Sequence, residues 1–344
     1  MFCGLTFCCK KLRLRPYISL GLAEWKGWSG IMLALRWMIP AIGALVAGVA
    51  ALVNTDWSQP GNPNLVGPTM GGQQVWTDKL YHVGWRIQRN VLTGHHRLLD
   101  PQDRRHAWGT YQDCLAKFAA IRTTQTIDYG GKPMAFLVKG LGGMESNFRV
   151  MKKALIDDGY HVAYVSYPST RQGIQDHAHD ISHLLNGLEG VQDIVFIAHS
   201  MGGLVMRQVL GDGGDWMGRM SVRGLVMIGT PNQGSQMAES FYGSGAFEVA
   251  TTEAGQNLRP DHVATLPPVT IRHCLIIGSN NDGQGLNPLI DGDDDGVVGV
   301  SEAMLDGSDD VLIVEARHQG LLAHPEALAG IRRFLKGGQC QPRR

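Results

Sequence analysis

The chain has 344 residues, 44% of them hydrophobic and 18% charged, with 31 basic side chains balanced by 31 acidic ones. This composition excludes a disordered chain, and the zero formal net charge leaves no electrostatic footprint for nucleic acid, so none is expected as a partner.

Residues 1–53 read as a basic N-terminus followed by a membrane segment. The stretch 37–53, WMIPAIGALVAGVAALV, carries no charge, and together with the apolar run 31–35 it is long enough to cross a hydrocarbon core of about 30 Å. Lys10, Lys11, Arg13, Arg15, Lys26 and Arg36 lie before it, against Glu24 alone. That bias predicts a cytoplasmic N-terminus, with everything after the segment beyond the membrane. The segment is then an anchor, or a signal peptide cleaved near 48–51; a buried helix is the third reading. In the first two cases the remaining chain is extracytoplasmic, held on the periplasmic side or exported. Cys3, Cys8 and Cys9 are plain thiols or acylation sites. Cys114, Cys274 and Cys340 are scattered and odd in number, so no disulfide framework is expected.

Residues 54–72, rich in Pro, Gly and Asn, form a linker. For 73–132 a helical extension is expected. Trp76, Leu80, Val83, Ile87 and Val91 recur at helical spacing, and so do Trp108, Tyr111, Leu115, Phe118 and Ile121. The Arg- and His-rich stretch between them is a solvated connection or a contact for anionic headgroups.

From residue 134 the pattern alternates. Apolar strands are expected at 134–139, 161–167, 193–198, 224–229, 270–278 and 310–316. Helices fall at 145–159, 174–188, 202–210 and 325–335. Such alternation predicts an α/β fold, a mostly parallel, doubly wound sheet with helices on both faces. Chemistry is expected in the loops that follow the strands. The domain occupies 133–336 and is followed by a short tail, 337–344.

One such loop is Ala198-His199-Ser200-Met201-Gly202, between a buried strand and a helix. This is the context of a nucleophile elbow, which exposes a serine hydroxyl at a helix N-terminus, where the Met201 amide can donate to an oxyanion. The competing reading is a serine that merely caps the helix. His199 is not expected to be the base, because neighbours at a strand end point opposite ways. The glycine-rich loop LVKGLGGMESNF, 137–148, follows the first strand of the domain and can turn a second amide, that of Leu141, toward the same place. A phosphate-binding turn there would require a fingerprint spacing that is missing.

The segments GLGG (140–143), YPSTR (167–171), AHSMGGLV (198–205), GTPNQGS (229–235), DGVVGV (295–300) and HQGLL (318–322) occur in that order. Together they resemble the α/β-hydrolase superfamily, in its branch of bacterial lipase- and esterase-like serine hydrolases, and are similar to class 2 lipases and GPI-inositol-deacylase-like proteins. The resemblance spans 133–336. It implies an α/β-hydrolase fold with a short cap insertion and the order Ser, acid, His. Asp295 is then the acid, with Asp294 as the alternative, and His318 is the base, with His324 as its rival. The amides of Leu141 and Met201 form the oxyanion hole. It further implies hydrolysis of a small-molecule or lipid carboxylic ester through an acyl-enzyme, with no cofactor. A thioesterase or acyltransferase with the same triad, or a catalytically silent membrane-tethered interaction module, stays open.

The chain departs from that pattern twice. Lys139-Gly140 stands where relatives often carry His-Gly, and Thr230-Pro231-Asn232 where they often carry Thr-Pro-His. Asp291, Asp293 and Asp294 crowd the acid and invite a calcium reading, without EF-hand spacing. His177, His179 and His183 invite a metal reading on what is otherwise a surface crossover helix. In the insertion 236–268, Phe241, Tyr242, Phe247 and Val249 give an apolar face, suited to an acyl chain or to ordinary packing.

Overall fold

The computed structural model describes residues 67–68, 73–308 and 310–342. The expected membrane segment and most of the linker lie outside the described residues. Among those described, no helix is long and apolar enough to cross a membrane.

Two sheets make up the fold. The first has five antiparallel strands: β1 (Gly67–Pro68), β2 (Trp76–His82), β3 (Trp85–Asn90), β4 (His96–Leu99) and β5 (Arg104–Gly109), in the order β1-β5-β4-β3-β2. Helix α1 (Tyr111–Thr124) covers it. Thr110 caps that helix in a reciprocal capping box with Asp113.

The second sheet has six parallel strands: β6 (Met134–Val138), β7 (His161–Val165), β8 (Asp193–His199), β9 (Ser221–Ile228), β10 (His273–Ser279) and β11 (Val311–Glu315), ordered β11-β10-β9-β8-β6-β7. Its main helices are α2 (Arg149–Asp157), α3 (Ile174–Asn186), α4 (Met201–Asp212) and α9 (Pro325–Gly337), with α5 (Gln236–Ser240), α6 (Gly245–Gln256), α7 (Pro260–Val263) and α8 (Val300–Ala303) shorter or in the insertions. All five residues of β6 are buried, as expected of a strand covered on both faces. Two apolar layers result. Phe136, Phe196 and Trp216 pack on one side of the sheet, and Leu137, Ile197 and Phe334 on the other.

The extension corrects one expectation. Residues 76–91 are not a helix but a hairpin, β2–β3, with His82 opposite Trp85. Val83 and Gly84 turn it with positive φ at both positions, the geometry of a two-residue hairpin loop. The usual alternation of period two is hidden because both faces are buried. Trp85, Ile87, Leu98 and Ala107 face α1 through Cys114 and Phe118. The opposite face is polar and internally bonded: Gln88 donates to Asp78 at 2.6 Å, and Arg97 donates to Gln88 at 2.7 Å. The Arg- and His-rich stretch is likewise not a solvated connection. It forms β4 and β5, with Arg97 3.8 Å from the centre of the Trp76 ring. The second expected helix is present as α1, although Trp108 belongs to β5. Within the expected linker, Gly67–Pro68 pairs with Arg104 and Arg105 as an edge strand.

A disulfide joins Cys274 on β10 to Cys340 after α9, 66 residues apart, contrary to the expectation of none. Cys114 is buried and free.

Candidate active site

Strand β8 ends at His199, and the next residue adopts φ 54 and ψ −132 before α4 begins. A non-glycine residue in that region is strained, and such strain concentrates at sites of function. The turn holds because its neighbours fit tightly. A Cβ on Gly202 would lie 2.5 Å from the Lys139 carbonyl oxygen and 2.7 Å from that of Val138. Only glycine lets α4 approach β6 this closely. The Ser200 amide donates to the Ile228 carbonyl at 2.8 Å, which pins the turn to β9. The Ser200 side chain is no helix cap, for it makes no capping hydrogen bond.

The acid loop follows β10, and the histidine follows β11. His318 Nδ1 lies 2.7 Å from Asp295 Oδ2, and both residues are buried. The other carboxylate oxygen of Asp295 accepts the amides of Val297 and Val298 at 2.9 and 2.8 Å. The His318 amide donates to the Asp295 carbonyl at 3.0 Å, a second tie between the two loops. Asp294 is differently engaged. Its carboxylate accepts the amides of Leu286, Asn287 and Gly296 at 2.9, 3.1 and 2.6 Å, and so shapes the loop. Asp293 accepts the Ser279 hydroxyl and the Asn280 amide. His324 sits at the N-cap of α9.

The two rings beside the serine are coupled. The His199 ring lies 4.6 Å from that of His318 and is tilted 45° to it, and its Nε2 donates to the His318 carbonyl at 3.2 Å. Burial, with His318 close by, pulls His199 down to about 3, so it stays neutral and packs rather than titrates. Gly229, with φ 54, lies beneath the His318 ring; a Cβ there would come within 3.1 Å of it. Ser200 Oγ makes no hydrogen bond among the described residues.

The glycine-rich loop lies against the serine. A Cβ on Gly140 would stand 2.6 Å from that of Ser200. The Gly143 amide bonds back to the Gly140 carbonyl at 3.1 Å, closing a turn with Gly142 at φ 67. The amides of Leu141 and Met201 donate to no acceptor among the described residues. Lys139 turns its side chain the other way, into the core. It is fully buried and lies 5.3 Å from the Tyr167 ring centre. Burial pulls its ammonium down to about 7, against an opposing pull from Asp78. The Tyr167 hydroxyl donates to the Lys139 carbonyl, so the loop's first residue is held from behind.

The histidines of α3 do not converge. His177 is buried against Tyr167, with ring centres 4.6 Å apart, while His179 and His183 are exposed. Among the described residues, the one group of three side chains whose ligand atoms converge is Cys274, Asp310 and Cys340, where the two sulfurs are joined. Phe241 and Tyr242 are exposed beside α5; the side chains of Phe247 and Val249 lie outside the described ones. Gln74, which reaches the glycine-rich loop, carried no signal in the sequence, and Ser169, which also reaches it, lies in the segment YPSTR (167–171) without any role having been expected of it.

A model of the PGAP1-like alpha/beta domain matches residues 170–284. That segment contains Ser200 and ends before Asp295. No curated protein matches the sequence. Among solved structures, the chain is similar to a Bacillus licheniformis lipase in its mature form, at 18% identity and a TM-score of 0.48, over 61% of this chain and 94% of that one. It is also similar to a metagenomic carboxyl esterase, at 19% identity and a TM-score of 0.42, over 56% and 67% of the two chains. Aspergillus fumigatus lipase B gives 16% identity and a TM-score of 0.42, over 61% and 54%. The matched segment carries the strained serine turn together with β8, β9 and β10 of the parallel sheet, so over these residues the chain is similar to the PGAP1-like alpha/beta domain.

Proposed function

We propose that the chain is a serine hydrolase that cleaves carboxylic esters through an acyl-enzyme. The observation that carries this reading is the buried Asp295–His318 pair at 2.7 Å, with the His318 ring 4.6 Å from that of His199, the residue before the strained turn at Ser200. Ser200 Oγ attacks the ester carbonyl carbon while His318 Nε2 takes its proton. The tetrahedral oxyanion is held by the amides of Leu141 and Met201. Collapse expels the alcohol, which receives the proton from His318. Water then repeats the sequence on the acyl-enzyme and releases the acid. Asp295 keeps the proton on Nδ1, turns Nε2 to the serine and stabilises the imidazolium.

An apolar acyl group suits the loops at this end of the sheet. Met144, Phe241, Tyr242, Leu286, Leu289 and Val297 are large, apolar and exposed on loops or short elements that follow strand C-terminal ends. The domain works beyond the membrane, tethered by or released from the segment 37–53. The Cys274–Cys340 disulfide supports that location, since such bonds persist in oxidising compartments.

The test is to label residues 54–344 with a fluorophosphonate, read by intact mass, and to titrate p-nitrophenyl esters of rising chain length, beside Ser200→Ala. One adduct, lost in the variant, with turnover of some ester is the expected result. A folded Ser200→Ala protein that keeps wild-type esterase activity would sink the reading.

A further inference from the structure

We infer that Gln74, from the N-terminal extension, is a positioning residue that clamps the oxyanion loop. The inference rests on the hydrolase reading above, and it gives the five-stranded sheet a role in that site. The loop Gly140–Gly143 contains three glycines around the Leu141 amide. Glycines populate many backbone conformations, so a loop built of them does not hold an amide in one direction by itself. An oxyanion donor contributes only where it is already aimed. The loop must therefore be held from outside.

Gln74 holds it at two points. Its Nε2 donates to the Gly143 carbonyl at 3.2 Å. Its Oε1 accepts the Ser169 hydroxyl at 3.1 Å, and Ser169 Oγ in turn accepts the Gly142 amide at 3.0 Å. One side-chain amide thus engages both neighbours on the C-terminal side of Leu141, one directly and one through Ser169. Gln74 is itself anchored four residues on. The Asp78 amide donates to the Ser166 carbonyl at 2.9 Å, and Asp78 Oδ2 accepts the Ser166 amide at 2.7 Å. Asp78 and Ser166 are both buried. This double tie fixes β2 to the end of β7, where the loop carrying Ser169 begins. Lys139, the residue before Gly140, points into the core, so the loop takes its support from Gln74 and Ser169.

The experiment compares the wild-type full chain with Gln74→Ala, Gln74→Glu and Ser169→Ala, reading steady-state ester kinetics and hydrogen–deuterium exchange of the peptide covering 140–148. Gln74→Ala should lower kcat by about 10- to 100-fold with KM little changed, as expected when a donor is loosened rather than removed. Exchange at 140–148 should quicken while exchange in β6 and β8 stays as in wild type. Gln74→Glu keeps the acceptor for Ser169 and loses the donor to Gly143, so it should fall between the two. Faster exchange with unchanged kcat would overturn the positioning role, and so would unchanged exchange. If Gln74→Ala slows turnover only in proportion to a general rise in exchange across the sheet, its role is structural and the inference fails. An active wild type with an equally active Gln74→Ala fails this inference alone. A folded wild type with neither turnover nor phosphonate adduct fails the hydrolase reading, and the clamp's catalytic role with it.

Discussion

Asp295 Oδ2 lies 2.7 Å from His318 Nδ1 while the neighbouring carboxylate of Asp294 is consumed by three backbone amides. Two adjacent aspartates therefore do different work. Asp295→Asn should leave the loop folded and lower kcat by about 10³- to 10⁴-fold, because an amide no longer enforces the tautomer. Asp294→Asn should instead lower the melting temperature, since it weakens the turn that presents Asp295. Steady-state kinetics and thermal melts of both variants decide it. If Asp294→Asn costs more in kcat at an unchanged melting temperature, the acid has been misassigned.

The strained turn at Ser200 makes a separate prediction about stability. With φ at 54, any side chain with a Cβ is disfavoured there, and glycine is not. Ser200→Gly should therefore be more stable than Ser200→Ala by about 1 kcal/mol, and both should be inactive. Denaturant unfolding of the pair measures the difference. Equal midpoints would mean that the turn costs the protein nothing.

The serine turn was legible because all of its parts are contiguous: a buried strand, a serine and small residues within ten positions. Asp295 and His318 were singled out through the family resemblance, by the segments DGVVGV and HQGLL, their order and their place after strands. What brings them together is the parallel register of β10 and β11, which pairs Ser279 with Glu315. The extension was misread because Asp78, Gln88 and Arg97 bury a polar face, so the apolar positions that remained matched a helical spacing. Gln74 could not be found, since its contact with Gly143 crosses 69 residues and depends on where β2 docks.

Cysteine parity misled for a related reason. Counting three scattered cysteines argued against pairing, yet Cys114 lies on the buried face of α1, packed against the five-stranded sheet, which leaves Cys274 and Cys340 to each other. The bridge ties the C-terminal tail to a central strand. Reduction, or the double change Cys274→Ala with Cys340→Ala, should cost about 2–4 kcal/mol of unfolding free energy. In the oxidised protein one thiol, Cys114, should react among residues 54–344, and only after unfolding. A native protein that titrates three thiols there would contradict the bridge.

Lys139 sets a pH dependence of stability. Its amine is pulled from 10.5 down to about 7 by burial, and its Nζ has no hydrogen-bond partner among the described residues. Below pH 7 the folded state must hold a buried ammonium, and the cost is present in full. Between pH 7 and 10.5 the unfolded chain keeps a proton that the folded chain has released, so the unfolded state binds more protons and stability rises with pH. The urea midpoint should therefore increase from pH 7 to pH 9. Lys139→Met keeps the aliphatic length without the charge. It should unfold at higher urea than wild type at pH 7 and lose most of that rise. A wild-type midpoint that is flat over this range, or a methionine variant with the same slope, would mean that Lys139 keeps its proton in the fold. Its charge would then sit behind the oxyanion loop at every working pH.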